Sequence, residues 1–211
     1  YRLNQLWEAG ELPPVDVFVD SPLAINVTEV YSAHPECYDR EMLDTMATDS
    51  DGDPLGFRRL RYVRASNESK ALNTRRGPAI IIAASGLCEG GRILHHLRNH
   101  VGNPSTTVLF VGYQAQHTLG RRLLEGNDEV RVLGAPVEVR ARIERADAYS
   151  AHADRTGLLG WAEAVRERGQ VSRYFLVHGE EDSAEALAED LRSAGTAGVE
   201  VPERGSAFQL T

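Results

Sequence analysis

Ala79-Ile80-Ile81-Ile82-Ala83-Ala84-Ser85-Gly86-Leu87-Cys88-Glu89-Gly90-Gly91-Arg92-Ile93 is the stretch that decides the fold class of this 211-residue chain. Ala79 to Ala83 are apolar without alternation, the pattern of a strand covered on both faces. Ser85, Gly86, Gly90 and Gly91 then mark a turn, and Ile93, Leu94, Leu97 and Val101 follow at helical spacing. Strand, glycine-rich turn and helix in that order form the repeating unit of a parallel α/β sheet. The turn also has a chemical reading. Its backbone N–H groups and the start of a helix near Arg92 can converge on an anion such as phosphate. The spacing is neither the G-x-G-x-x-G dinucleotide fingerprint nor a Walker loop. A packing role for the glycines explains the turn equally well.

Outward from this unit the same texture recurs. Val15 to Val19, Thr107 to Val111 and Arg173 to Val177 read as further buried strands. Helices are expected around Leu158, Leu159, Trp161, Ala162 and Val165 and around Ala184, Leu187, Ala188 and Leu191. Leu3, Leu6 and Trp7 already sit at helical spacing, so the chain reads as opening inside a helix, a piece of something longer. Between Val130 and Arg145 apolar and charged residues mix around Gly134-Ala135-Pro136, which predicts a β-hairpin with one wet face and a boundary nearby. The loop Asp49 to Gly56 resembles a calcium-binding EF-hand loop only in its aspartates. Counted from Asp49, Pro54 stands where the turn needs glycine and Leu60 where the closing Glu belongs.

Composition excludes several classes. Lys and Arg total 23 against 31 Asp and Glu, a formal net charge of −8, which rules out a uniformly basic nucleic-acid coat. No apolar run approaches the roughly 20 residues that span a bilayer, and no secretory signal is legible, so a cytoplasmic protein is expected. Cys37 and Cys88 match no paired motif and read as free, buried thiols. Within the acidic chain, Arg58, Arg59, Arg61, Arg64, Lys70, Arg75 and Arg76 form a basic cluster. It suits a phosphate backbone or a solvated surface equally well.

The chain has seven histidines. His95 and His96 are adjacent on a helix and point about 100° apart, so surface or packing roles fit them better than a shared ligand. His34, His100 and His117 lack a supporting pattern. His152 stands just before a helix whose N-cap would be Asp154. His178 follows an apolar strand and precedes Gly179-Glu180, a setting for a metal ligand backed by a carboxylate. Two buried structural histidines would read the same way. The turns Asp20-Ser21-Pro22, Ala84 to Gly91, Gly112-Tyr113-Gln114 and His178-Gly179-Glu180 all follow predicted strands, and in a parallel sheet such turns line one ligand cleft.

Taken together, five motifs resemble the beta-CASP branch of the metallo-beta-lactamase fold, a family of RNA-processing nucleases. They are Val19 to Ala24, Ala84 to Leu97, Phe110 to Gln114 with Thr118 to Arg121, Ser150 to Asp154, and Leu176 to Glu180. The resemblance covers nearly the whole chain in order. It implies a parallel-sheet, Rossmann-like beta-CASP domain over residues 1–136, truncated at its start. A β-hairpin and α/β segment over 137–211 would return to the metallo-beta-lactamase domain.

By the same resemblance the parent is a zinc-dependent ribonuclease of the RNA-processing or mRNA 3'-end type, with two zinc ions and RNA as partner. A homodimer is one admissible assembly, and no membrane is involved. His152 matches the family histidine that acts on the scissile phosphate and leaving group, and His178 a zinc ligand, with Asp154 and Glu180 as supporting carboxylates. Ser85 and Gly86 match the turn facing substrate phosphates; Ser21, Arg58, Arg59 and Lys70 are further candidates for phosphate or RNA. The H-x-H-x-D-H motif that carries most zinc ligands is missing, and one ligand cannot hold a site that needs about three. The chain alone is therefore expected to be inactive. A non-catalytic RNA-binding scaffold paralogue and a metal-independent phosphate-binding module are the rival readings.

Overall fold

A computed structural model describes residues 1–49, 52–149 and 152–209. The chain divides into two compact units, Tyr1–Tyr149 and Ser150–Thr211. The expected hairpin region, residues 130–145, lies within the first unit.

The first unit is built on β1 (Asp16–Asp20), β2 (Leu60–Tyr62) and β3 (Ala79–Ala83), in the order β2-β1-β3 with all pairings parallel. Asp20 lies opposite Ala83 and Val19 opposite Tyr62, so the three carboxyl ends share one edge. The helices α1 (Arg2–Glu8), α2 (Pro22–Ser32), α3 (Arg40–Thr48), α4 (Ser66–Leu72) and α5 (Ile93–His100) accompany these strands. The central strand is the buried one: Val17 is fully enclosed, and Phe18 packs with Val63 and Leu72. The outer strands are not covered on both faces as their sequence predicts. Ile82 is 42% exposed, and so is Leu109 at 54% on β4 (Thr107–Phe110).

The segment from Val130 to Arg145 is two things rather than one hairpin. β5 (Glu129–Val132) and β6 (Ala135–Glu138) pair antiparallel across Leu133-Gly134, both with positive φ. The next strand, β7 (Arg142–Arg145), instead runs parallel to β4. With α5 and α6 (Leu119–Leu124) they enclose the largest core, which contains Leu97, Val101, Phe110, Leu123, Val130 and Val132. Burial of that cluster, at about 25 cal/mol per Å² of apolar surface, is the main stabilisation of this half.

The second unit holds α7 (Arg155–Arg168), β8 (Tyr174–Phe175), α8 (Glu181–Ser193) and β9 (Val199–Glu200), with β8 and β9 parallel. Asp154 caps α7 as its sequence predicts, accepting from Gly157 N at 2.8 Å. The strand expected over Arg173 to Val177 shrinks to two residues. Ala162, Tyr174, Ala188, Leu191 and Val199 form the core, and Tyr174 OH donates to the Ala162 carbonyl at 3.2 Å. Among the described residues no helix is long and apolar enough to cross a membrane.

Candidate phosphate-binding site

The turn from Ala84 to Arg92 closes on itself at the carboxyl end of β3. Ser85 N donates to Gly90 O at 3.0 Å, Cys88 N to Ser85 O at 3.1 Å, and Ile93 N to Ala84 O at 3.2 Å. Gly91 has φ +80°, and a Cβ there would lie 2.3 Å from the Ala84 carbonyl oxygen, so glycine is required by both conformation and space. Leu94 N donates to Gly91 O. The first N–H groups of α5 are thus engaged locally, and the expected helix-start contribution to an anion site does not materialise. The Ser85 hydroxyl and the N–H groups of Gly86 and Leu87 behave differently: among the described residues they have no partner within the chain. Gly86 is exposed, and a Cβ there would meet nothing within 4 Å. Neighbouring unengaged donors in a turn are the elements of an anion nest.

Two groups from the neighbouring strand-end turns, Asp20 and Gln114, hold this turn in place. Asp20, fully buried at the end of β1, accepts from Ser69 Oγ, His96 Nε2 and Arg92 Nη1, each at 2.6 Å. Burial pushes its carboxyl pKa up, but the bonds from Ser69, His96 and Arg92 outweigh it and hold the group below the usual carboxylate range. Arg92 also donates to the carbonyls of Val63 at 2.8 Å and Arg64 at 2.7 Å, locking the exit of the turn to the exit of β2. His96 completes the hub through Nδ1, 2.8 Å from Asn73 Oδ1. His95 is exposed. The second clamp is Gln114, whose Nε2 donates to the carbonyl of Gly86 at 3.0 Å. Its Oε1 is buried and has no hydrogen-bond partner among the described residues, and a Cβ at Gly120 would lie 1.8 Å from it. Beside this clamp, Tyr113, Gln114, Arg121, Leu124, Glu125 and Arg145 line a pocket of about 270 Å³.

The remaining sequence candidates are placed as follows. Ser21 is buried and caps α2, its hydroxyl oxygen accepting from Ala24 N at 3.3 Å. The basic cluster is dispersed by the parallel register. Asp16 lies opposite Ala79, so Arg58, Arg59, Arg75 and Arg76, which precede β2 and β3, are at the amino ends of the strands, away from the Ser85 turn. Arg59 and Arg75 both pair with Asp16, and Arg64 with Glu29. Lys70 is exposed on α4. Cys37 is exposed rather than buried. Cys88 is buried, which pushes its thiol up to about 11.

His152, His178, Asp154 and Glu180 belong to the second unit. Ser150 and Ala151, part of the motif around His152, lie outside the described residues. His178 is exposed with φ +68° in the turn after β8, and Glu180 is the N-cap residue of α8. Among the described residues no three His, Cys, Asp or Glu side chains come together as a metal site. The described residues therefore do not by themselves fit the zinc centre that the motifs imply, for which His178 is the one ligand expected from this chain.

Of the strand-end turns read as one cleft, the first three meet in the first unit through Arg92–Asp20 and Gln114–Gly86. Two family models match successive parts of the chain. A family model described as the Beta-Casp domain matches residues 1–123, and one described as a Zn-dependent metallo-hydrolase RNA specificity domain matches residues 136–202. Ribonuclease TTHA0252 of Thermus thermophilus is 34% identical over 184 residues, covering 87% of this chain and 41% of that protein. Transcription termination factor FttA of Cenarchaeum symbiosum is 30% identical over 192 residues, 88% of this chain and 29% of its own length. FttA of Pyrococcus abyssi is 29% identical over 180 residues, 81% and 27%. The chain thus spans about two-fifths or less of these relatives. With a Beta-Casp match over more than half its length, this chain belongs to the beta-CASP family of metallo-beta-lactamase-fold proteins.

Proposed function

We propose that this chain is part of a zinc-dependent ribonuclease and supplies its phosphate-binding turn. The observation that carries the reading is the set of unengaged donors at Ser85, Gly86 and Leu87, held rigid by the Asp20 hub and by Gln114. Preorganised donors of this kind bind a phosphodiester oxygen without reorganising as charge develops. The relatives' names, one a ribonuclease and others transcription termination factors, point to RNA as the polymer.

In this reading the Ser85 hydroxyl and the neighbouring N–H groups hold a phosphate. His152 donates a proton to the leaving oxygen, the general-acid role open to an imidazole. His178 contributes one zinc ligand; zinc would supply Lewis-acid activation when its remaining ligands come from outside the described residues. Asp154 and Glu180 support the two histidine turns.

The test is RNA cleavage and zinc content of the intact protein that carries this chain, compared with its Ser85→Ala, His152→Ala and His178→Ala variants. Ser85→Ala should weaken RNA binding, His152→Ala should lower cleavage with binding retained, and His178→Ala should lower both zinc content and cleavage. Unchanged zinc and unchanged activity in His178→Ala would sink the reading.

A further inference from the structure

Arg58, Arg59 and Arg61 face a pocket of about 290 Å³ together with Trp7 and Asp16. Asp16 opens β1 and Arg61 lies opposite Phe18 at its middle, whereas the Ser85 turn follows the carboxyl end of β3.

The charges in this pocket are not balanced. Asp16 accepts from Arg59 Nη1 at 3.1 Å and pairs with Arg75 as well, so its negative charge is already matched twice. The Arg75 hydrogen bond foremost, joined by Arg59, keeps the Asp16 carboxyl ionised below its usual range. Arg58 and Arg61 are exposed, and neither has an ion pair or hydrogen bond among the described residues. Two unmatched guanidinium groups thus stand together in a chain whose net charge is −8. Their neighbour Trp7 is half-buried and stacked on the buried Phe57, with ring centroids 5.8 Å apart and planes at 28°. Phe57 fixes the indole while leaving it on the pocket wall.

A guanidinium fork matches the oxygens of a phosphate, and an anchored indole offers a face to a base. We infer that Trp7, Arg58 and Arg61 form a nucleotide-binding site, the two arginines taking a phosphate and Trp7 stacking on the attached base. The volume admits one nucleotide. The phosphorylated nucleoside is either a free mononucleotide or one residue of a single-stranded RNA. Only the second source rests on the ribonuclease reading, and there the pocket is a second place of attachment for the strand, separate from the Ser85 turn.

Trp7 reports on the site directly, because Trp161 is the other tryptophan and lies 62% exposed in the second unit. In a Trp161→Phe background, Trp7 fluorescence is titrated with AMP, with an oligoadenylate and with an oligoglutamate. Saturable quenching by the oligoadenylate alone assigns the site to a strand, and quenching by AMP as well assigns it to free nucleotide. Arg58→Ala with Arg61→Ala should weaken either at least tenfold and, for the oligoadenylate, reduce the salt dependence by about 0.7 log unit for each phosphate no longer neutralised. Arg58→Lys with Arg61→Lys, which keeps the charge, should fall between. The inference is overturned by no saturable quenching, by quenching that survives both alanines, or by equal quenching with oligoglutamate. Ser85→Ala should leave quenching by AMP, which is too small to reach the Ser85 turn, unchanged, so failure here and failure of the ribonuclease reading are separately visible.

Discussion

Asp20 Oδ2 and His96 Nε2 lie 2.6 Å apart with both side chains shut away from solvent, a bond that joins the end of β1 to the middle of α5 across the Ser85 turn. The same carboxylate takes Arg92 on its other oxygen, so one buried anion sets where the turn begins and ends.

Asp20→Ala should therefore be severely destabilising. Removing one partner of a buried pair leaves the Arg92 guanidinium, whose side chain is only 19% exposed, without its counter-charge. Such effects run to about 3–5 kcal/mol. Ser69→Ala removes one hydrogen bond and should cost about 1 kcal/mol. Urea unfolding followed by circular dichroism measures both, and a smaller destabilisation by Asp20→Ala than by Ser69→Ala would contradict the hub.

The depressed Asp20 pKa gives the pH dependence its sign. The folded state holds the proton less tightly than the unfolded chain, so this stabilisation is complete above the ordinary carboxylate pKa of about 3.9 and is lost as pH falls through the lower folded value. Unfolding free energy measured from about pH 6 down to about pH 2 should drop in that window. The drop should be shallower in Asp20→Asn.

Gly91→Ala should damage the turn itself. The new Cβ would stand 2.3 Å from a backbone oxygen that cannot move without dragging β3, and φ +80° is unfavourable for any L side chain. Destabilisation by more than about 1 kcal/mol is expected, with reduced RNA affinity. Gly86→Ala, open on all sides, is the control and should melt like the parent.

The β5–β6 hairpin offers a stabilising change. Leu133 occupies the first position of a two-residue turn with φ +50° and is 52% exposed, while Gly134 has φ +79°. That geometry favours Asn-Gly. Leu133→Asn should raise the melting temperature, reflecting about 0.5–1 kcal/mol, as read by calorimetry.

The two thiols should separate in a labelling experiment. Cys37 is exposed, whereas burial holds Cys88 near 11, far from thiolate at neutral pH. A maleimide at pH 7 followed by peptide mass spectrometry should modify Cys37 within minutes and Cys88 only on unfolding. Comparable rates would mean the α5–α6 core opens readily.

Local features of this protein were legible in its residues alone. Apolar runs at Ala79 to Ala83 and Thr107 to Phe110, the Asp154 cap and the glycines of the Ser85 turn are written in neighbouring residues, because strand pattern, capping and positive φ are short-range physics. The five motifs added the family. Which distant groups meet was settled by the folded chain. His96 looked like an ordinary helical residue until parallel pairing put Asp20 beside it, 76 positions away in the chain. The run from Arg58 to Arg76 looked like one basic patch until strand register sent Arg59 and Arg75 to Asp16 and left Arg58 and Arg61 beside Trp7. Register is a property of paired strands, and a buried charge needs a partner that only the folded chain can bring to it.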